Sequence, residues 1–208
     1  MIRAAQNQIE PIARLLTDCF IDDPLTIMQL QGISDQKDFL EKLFRIQLEV
    51  FEKTRDVFIS DDKCQSVLIG YEKKNFSGFK QLMFGIQSSA KLRRLIGKND
   101  FTSYSNNVRA VAKIVDLNWH KQFVKNNYYH INIIAVAPEE QGQGNSRALI
   151  GPIVKHCNEN NLPIILETVD PKLIVIYESL GFELAKTLSD KGTGTIQYCF
   201  IKYPNNKW

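Results

Sequence analysis

"AVAPEEQGQGNSRAL", residues 135–149, leaves an apolar run at Pro138, turns through Gly142 and Gly144, and restarts as a helix-like sequence. Where a strand empties into a turn that opens a helix, the first backbone N–H groups have no intrahelical partner and point outward together. Two glycines let that backbone approach an anion with no Cβ between them, and the helix dipole adds partial positive charge. The turn reads as an anion cradle or, more blandly, as a connector, because GxG alone is common. It is not a P-loop, since no Gly-Lys-Ser/Thr follows. It is not a dinucleotide fingerprint either, since Arg147 stands where the third glycine would be.

From this turn onward the pattern alternates: strand 129–136, helix to about residue 160, strand 163–169, helix 171–180, strands 182–188 and 195–203. That order predicts crossover units and a partly parallel sheet, with "SDKGTG" joining the last two strands as an antiparallel hairpin. Upstream, a strand at 2–5 precedes a helix with Ile9, Ile12, Leu15, Leu16, Cys19 and Phe20 at helical spacing, and Asn7 with Glu10 reads as its capping start. A second amphipathic helix is expected at about 35–51, then a hairpin from "DVFIS" (56–60) and "SVLIGYE" (66–72). Between 78 and 124 two helical pieces are expected, 79–96 and 106–124, broken near 97–102.

A chain of 208 residues without a linker-like stretch or a repeat predicts one domain over 1–208. Lys and Arg number 26 against 23 Asp and Glu, and the basic residues are scattered as pairs such as Arg93-Arg94, so no nucleic-acid partner is expected. Cys19, Cys64, Cys157 and Cys199 show neither CxxC pairing nor metal-ligand spacing and read as reduced thiols. The Asp22-Asp23 and Asp61-Asp62 pairs lie in turn contexts with nothing to complete a coordination shell, so they read as turn and cap residues and no metal is expected. No window reaches transmembrane length and no leader pattern opens the sequence, which makes a cytoplasmic protein without a membrane partner the expectation.

A second stretch, "IYESLGFE" (176–183), lies at a helix–strand junction beyond the glycine turn. Together the two resemble the GNAT acetyltransferase superfamily. Val136-Ala137-Pro138 matches its V-x-P strand end, Gln141-Gly142-Gln143-Gly144-Asn145-Ser146 its Q/R-x-x-G-x-G/A cradle, and Tyr177-Glu178-Ser179-Leu180-Gly181-Phe182 its Y-E-x-x-G-F element. The likeness is strongest over 128–182 and extends weakly to "ARLLTDCFIDDP" near the N-terminus. It implies an α/β (α+β) single-domain GNAT-like fold: a central mixed, mostly antiparallel sheet with a parallel splayed strand pair, flanked by helices. It further implies acetyl-CoA as acetyl donor, bound by a core at 128–188. The amides of Gln141, Gly142, Gln143, Gly144, Asn145 and Ser146 would hold the pyrophosphate. The main chain of Ile134, Ala135 and Val136 would hold pantetheine, with the Val136 N–H polarising the thioester and Tyr177 protonating the departing thiolate. Two positions depart from the family: Ser146 stands where Gly or Ala is usual, and Leu173 where relatives often carry an Asn that contacts the cofactor. Asp170 reads as a helix N-cap before Pro171, and Pro152 marks a bend in the helix after the cradle.

Transfer of an acetyl group to an amine needs a neutral amine, a donor for the carbonyl oxygen and a proton for the thiolate. A phenol, with a reference pKa of about 10, stays protonated at neutral pH, so Tyr177 suits the last role. Its other reading is a packed aromatic on the face of Leu173, Ile176 and Leu180. Glu167 is the one carboxylate in an otherwise apolar strand: either a base whose pKa burial raises, or a strand glutamate facing solvent or bonded to a neighbour. His130 and Asn132 should share a face, one of them placing the acceptor or a water, while His120 and His156 are weaker candidates. Trp119, Phe123, Tyr128 and Tyr129 form core or wall an acceptor pocket. The helical segment 77–127 is expected to shape the acceptor site for a small primary amine, with a protein or peptide amine, or a non-catalytic acetyl-CoA-binding regulator, as alternatives. A monomer and a homodimer are both open.

Overall fold

Seven strands and seven α-helices stand among residues 1–205, the part of the chain that the computed structural model describes. In chain order they are β1 (Ile2–Arg3), α1 (Ile9–Phe20), α2 (Pro24–Leu30), α3 (Gln36–Thr54), β2 (Asp56–Ile59), β3 (Ser66–Glu72), α4 (Gly78–Ile96), α5 (Lys98–Val111), β4 (Tyr129–Val136), α6 (Asn145–Glu159), β5 (Ile164–Thr168), α7 (Leu173–Ser179), β6 (Glu183–Ser189) and β7 (Ile196–Lys202). The strands form one sheet in the order β1-β2-β3-β4-β5-β7-β6, antiparallel throughout except for the β4–β5 pair. This is the mixed, mostly antiparallel sheet with one parallel pair that the family resemblance implies, and helices cover both faces.

Local chemistry explains most boundaries. Asp23 and Asp35 cap α2 and α3, their carboxylates accepting from the amides of Thr26 at 3.0 Å and Asp38 at 3.1 Å. Asn7 does not cap α1. Gln8 precedes that helix instead, and its Oε1 accepts from the Ala5 N–H at 2.9 Å, which bends the chain away from β1. Asp170 likewise caps the turn before α7 rather than the helix itself, accepting from the Lys172 N–H at 2.9 Å.

The second middle helix differs from the expected 106–124. Gly97 alone separates α4 from α5, and α5 ends at Val111 although apolar spacing continues beyond it. Side-chain amide bonds from β7 overrule that spacing: Gln197 accepts from the Asp116 N–H at 2.8 Å and donates to the Asp116 carbonyl at 3.1 Å. The chain is thereby turned, and Trp119 enters the core as part of a short 3-10 turn at full burial.

The sheet separates two packing layers. α6 covers Leu68, Tyr129, Ile131, Leu166 and Phe200 on one face, whereas α1 and α3 cover Val67, Ile69 and Ala135 on the other. A smaller cluster of Trp119, Tyr128, Ile165, Cys199 and Ile201 continues beside the second layer. Within β4 the pairing slips, because Ile131 faces Gly70 and Ile133 faces Ile69, leaving Asn132 as an extra residue. Such a bulge bends a strand and sharpens its twist. It also exchanges the faces: Tyr129 and Ile131 pack toward α6 before it, Ile134 after it, while Ile133 and Ala135 turn to α1 and α3. Gly70 permits this crossing, since a Cβ there would lie 2.7 Å from both the His130 carbonyl oxygen and the Tyr129 ring.

Candidate active site

β4 pairs with β5 only through Tyr129 with Ile164 and His130 with Ile165, among the described residues. Beyond the bulge the two strands diverge. Ala137 donates to Gln65 at 2.8 Å and Ala135 pairs with Val67, so alternation aims the main-chain groups of Ile134 and Val136 away from β3 and into the gap. The Val136 carbonyl is met there by Gln141 Nε2 at 3.1 Å and by Cys19 Sγ at 3.4 Å.

A cavity of about 340 Å³ opens between this strand end, the turn before α6, and α7. Ile134, Val136, Gln141, Gly142, Gly144, Asn145, Ser146 and Tyr177 line it, joined by Arg147, Leu173 and Ile176. Gly142 and Gly144 have φ of +78° and +85°, a left-handed conformation that favours glycine, and a Cβ at either would point into open space. The first intrahelical bond runs from the Ala148 N–H to the Gly144 carbonyl at 3.0 Å, so the amides of Asn145 and Ser146 precede the helical ladder. Asn145 Nδ2 donates to the Glu140 carbonyl at 3.0 Å and Gln143 Nε2 to the Glu139 carbonyl at 3.0 Å, which fixes the turn. With both glycine positions open and the amides of Asn145 and Ser146 ahead of the helical ladder, the turn suits an oxyanion such as the diphosphate of a coenzyme.

Tyr177 is half-buried against Phe200 and Phe182, with ring centroids 5.4 and 6.0 Å away. Burial, then the carboxylates of Asp170 and Glu167, pushes its phenol up to about 12. A group so placed keeps its proton across the neutral range.

Three of the expected site residues do not line this cavity. Ala135 turns its side chain into the core and pairs with Val67. Gln143 points back to the loop it fastens. Glu167 lies on the opposite face of the sheet, where His130 Nε2 is 3.0 and 3.1 Å from its two oxygens and Trp119 Nε1 donates to it at 3.1 Å. His130 Nδ1 in turn is 3.2 Å from Tyr71 Oη. Nearby, His120 Nε2 is 3.0 Å from Tyr128 Oη, and the two imidazole rings stand 6.3 Å apart.

This network reverses the expected electrostatics of Glu167. Burial does push its carboxyl up, but the hydrogen bond and charge of His130 and the Trp119 N–H outweigh it and hold the pKa below its ordinary value. Glu167 is therefore a carboxylate near neutrality. It accepts the Nε2–H of His130, whose Nδ1 faces the Tyr71 hydroxyl. Burial, then the neighbouring His130, pushes the His120 imidazole below its usual value. His130 and Asn132 share a face, with Arg55 bridging: its Nη1 donates to Asn132 Oδ1 while its guanidinium lies 5.2 Å from the Tyr71 ring centroid. Tyr71 and Arg55 belong to no sequence motif, and only the packing of distant segments brings them to the gap.

Comparison with known proteins agrees with this architecture. Residues 84–193 match the family model described as Acetyltransferase (GNAT) domain. No curated protein matches the sequence. Among solved structures, the chain is similar to "histone acetyltransferase HPA2 and related acetyltransferase" from Corynebacterium glutamicum, with a TM-score of 0.68 at 17% identity over 98% of this chain and 94% of that one. Arylalkylamine N-acetyltransferase 2 from Aedes aegypti gives 0.58 at 16% identity over 98% of each chain. An N-acetyltransferase from Staphylococcus aureus gives 0.59 at 15% identity over 96% and 97%. At these identities the solved structures speak to fold alone, while the family model spans more than half of the sequence. The glycine turn, the splayed strand pair and the family match together identify the chain as a member of the GNAT acetyltransferase family.

Proposed function

We propose that the protein is a single-domain N-acetyltransferase over 1–208 that moves the acetyl group of acetyl-CoA to the primary amine of a small molecule. The observation that carries this reading is the cavity in which the unpaired edge of β4, the open amides before α6 and the Tyr177 phenol converge. Bound acetyl-CoA supplies an acetyl group activated as a thioester. The amides of Gly142, Gly144, Asn145 and Ser146, with Gln141 and Gln143 bracing the turn, hold the diphosphate. Ile134 and Val136 offer main-chain groups to the pantetheine arm, with Ala135 fastening the strand between them to β3, and the Val136 N–H meets the thioester oxygen as it gains charge.

The amine reaches the gap from the face of Glu167. As its nitrogen forms the new N–C bond and the C–S bond breaks, the proton it loses passes to the Tyr71–His130–Glu167 chain, and Tyr177 gives a proton to the leaving sulfur. The products are an N-acetyl amine and free thiol. The middle segment 77–127 shapes the acceptor side and supplies Trp119 to hold Glu167. A small amine as acceptor is supported by the names of two structural neighbours, the arylalkylamine N-acetyltransferase and an agmatine N-acetyltransferase. Leu173 in the cavity wall, where a polar contact would be usual, favours one other reading, a protein that binds acetyl-CoA without turnover. Amine-dependent release of thiol from acetyl-CoA by the purified protein separates the two: release supports the transferase, and binding without release supports the other.

A further inference from the structure

A second cavity, of about 250 Å³, lies at the start of β2 and the end of β3, under the first turn of α4. Its wall carries four cations, Arg3, Lys53, Arg55 and Lys80, and two carboxylates, Asp56 and Glu72. Both carboxylates are already engaged. Asp56 meets Arg3 at 3.5 Å and accepts from Tyr129 Oη at 3.2 Å, and Glu72 meets Lys74 at 2.9 Å and His156 at 3.5 Å. Arg55, Lys53 and Lys80 have no acidic partner among the described residues.

Arg55 is the telling member. Its guanidinium is wrapped by the rings of Phe51, Tyr71 and Phe76 at 4.7, 5.2 and 6.0 Å, and its Nε is buried without a hydrogen-bond partner. Taking a charge out of water without a counter-charge is costly, and a planar guanidinium is satisfied best by a two-oxygen anion. The same residue touches the reaction centre, because its Nη1 holds Asn132 at the bulge and it stacks on Tyr71, whose hydroxyl meets His130.

We infer that this cavity takes the anionic end of the acceptor, so that the preferred substrate is a primary amine that also carries a carboxylate or phosphate. The inference rests on the acetyl-transfer reading and adds the substrate class. An oxyanion on Arg55, flanked by Lys53 and Lys80, would lay the rest of the molecule along Tyr71 toward the gap between β4 and β5.

The test uses matched amines with purified protein: δ-aminovalerate and phosphoethanolamine as anionic probes, cadaverine and pentylamine as cationic and neutral-tailed controls. Thermal shift reports binding and thiol release from acetyl-CoA reports turnover. The expected result is a KM for an anionic amine roughly tenfold or more below that of either control, as charge-assisted pairing implies. Carboxylate or phosphate is then assigned by which probe has the lower KM. Arg55→Met should erase that preference, and Lys80→Glu, at an exposed side chain, should reduce it severalfold. Equal use of cadaverine or pentylamine, or a preference that survives both substitutions, overturns the inference. If the anionic probes raise Tm in an Arg55-dependent way but no amine releases thiol, the anion site stands and the transferase reading falls. Thiol release without any Arg55 dependence gives the converse.

Discussion

His130 is the last residue of β4 to pair with β5, and its Nε2 lies 3.0 Å from Oε1 of Glu167, two residues beyond its partner Ile165. The pair thus closes the narrow end of the gap from one face of the sheet, while the Tyr177 cavity opens it from the other. A donor entering from one side and an acceptor from the other would meet between a carboxylate-held imidazole and a protonated phenol.

Ser146→Glu should abolish the rise in Tm that acetyl-CoA produces. A ligand at a hundredfold excess over its Kd stabilises the native state by about 2.7 kcal/mol, and a carboxylate in the cradle repels the diphosphate. The substitution is cleaner than one at Gly144, whose φ of +85° would strain any side chain. An acidic residue in the first turn of α6 also favours the helix dipole, so the ligand-free Tm should hold or rise slightly. A ligand shift equal to that of the wild type would move the cofactor elsewhere.

Tyr177→Phe should keep the acetyl-CoA shift and lower turnover on the order of a hundredfold, because the ring still packs on Phe200 while the proton donor is gone. Measured under conditions where chemistry limits the rate, unchanged turnover would return Tyr177 to a packing role.

Glu167→Gln keeps the shape of the side chain and removes the charge that orients His130. Turnover should fall by roughly a hundredfold with cofactor binding intact. Trp119→Phe, which removes one of the donors to Glu167, should cost less in rate and more in Tm, since Trp119 is fully buried. A Glu167→Gln variant as fast as the wild type would leave the network structural.

Much of this was legible in the chain. The strand 129–136, the hairpin strands and the glycine turn emerge from periodicity and turn chemistry, which are local properties. The bulge at Asn132 was not, because it depends on how β4 registers against Gly70 across the sheet. The fall in the Glu167 pKa was hidden for the same reason: its partners His130 and Trp119 stand 37 and 48 residues away. Burial alone, which a lone carboxylate in an apolar strand does announce, gives the opposite sign. The end of α5 escaped because Gln197, on the last strand, stops a pattern that the helix would otherwise continue.

His120 carries a pH dependence of stability. Its folded pKa lies below the ordinary 6.5, so the unfolded chain binds a proton more readily than the folded one. Stability is fully present above that value and is lost as pH falls from about 6.5 through the folded pKa. Glu167 has the same sign in a lower window, below about 4.5. Between pH 7 and about 5.5, therefore, the Tm of the wild type should drop more steeply than that of His120→Gln. Parallel slopes would contradict the assignment.

The most direct measurement is thiol release from acetyl-CoA on addition of a panel of small primary amines, run on the wild type, Ser146→Glu and Tyr177→Phe, with the N-acetyl product identified by mass. The predicted result is amine-dependent thiol release with one acetyl group gained per thiol, lost in Ser146→Glu with cofactor binding and reduced in Tyr177→Phe without it. Saturable acetyl-CoA binding with no thiol release for any amine would contradict the transferase account.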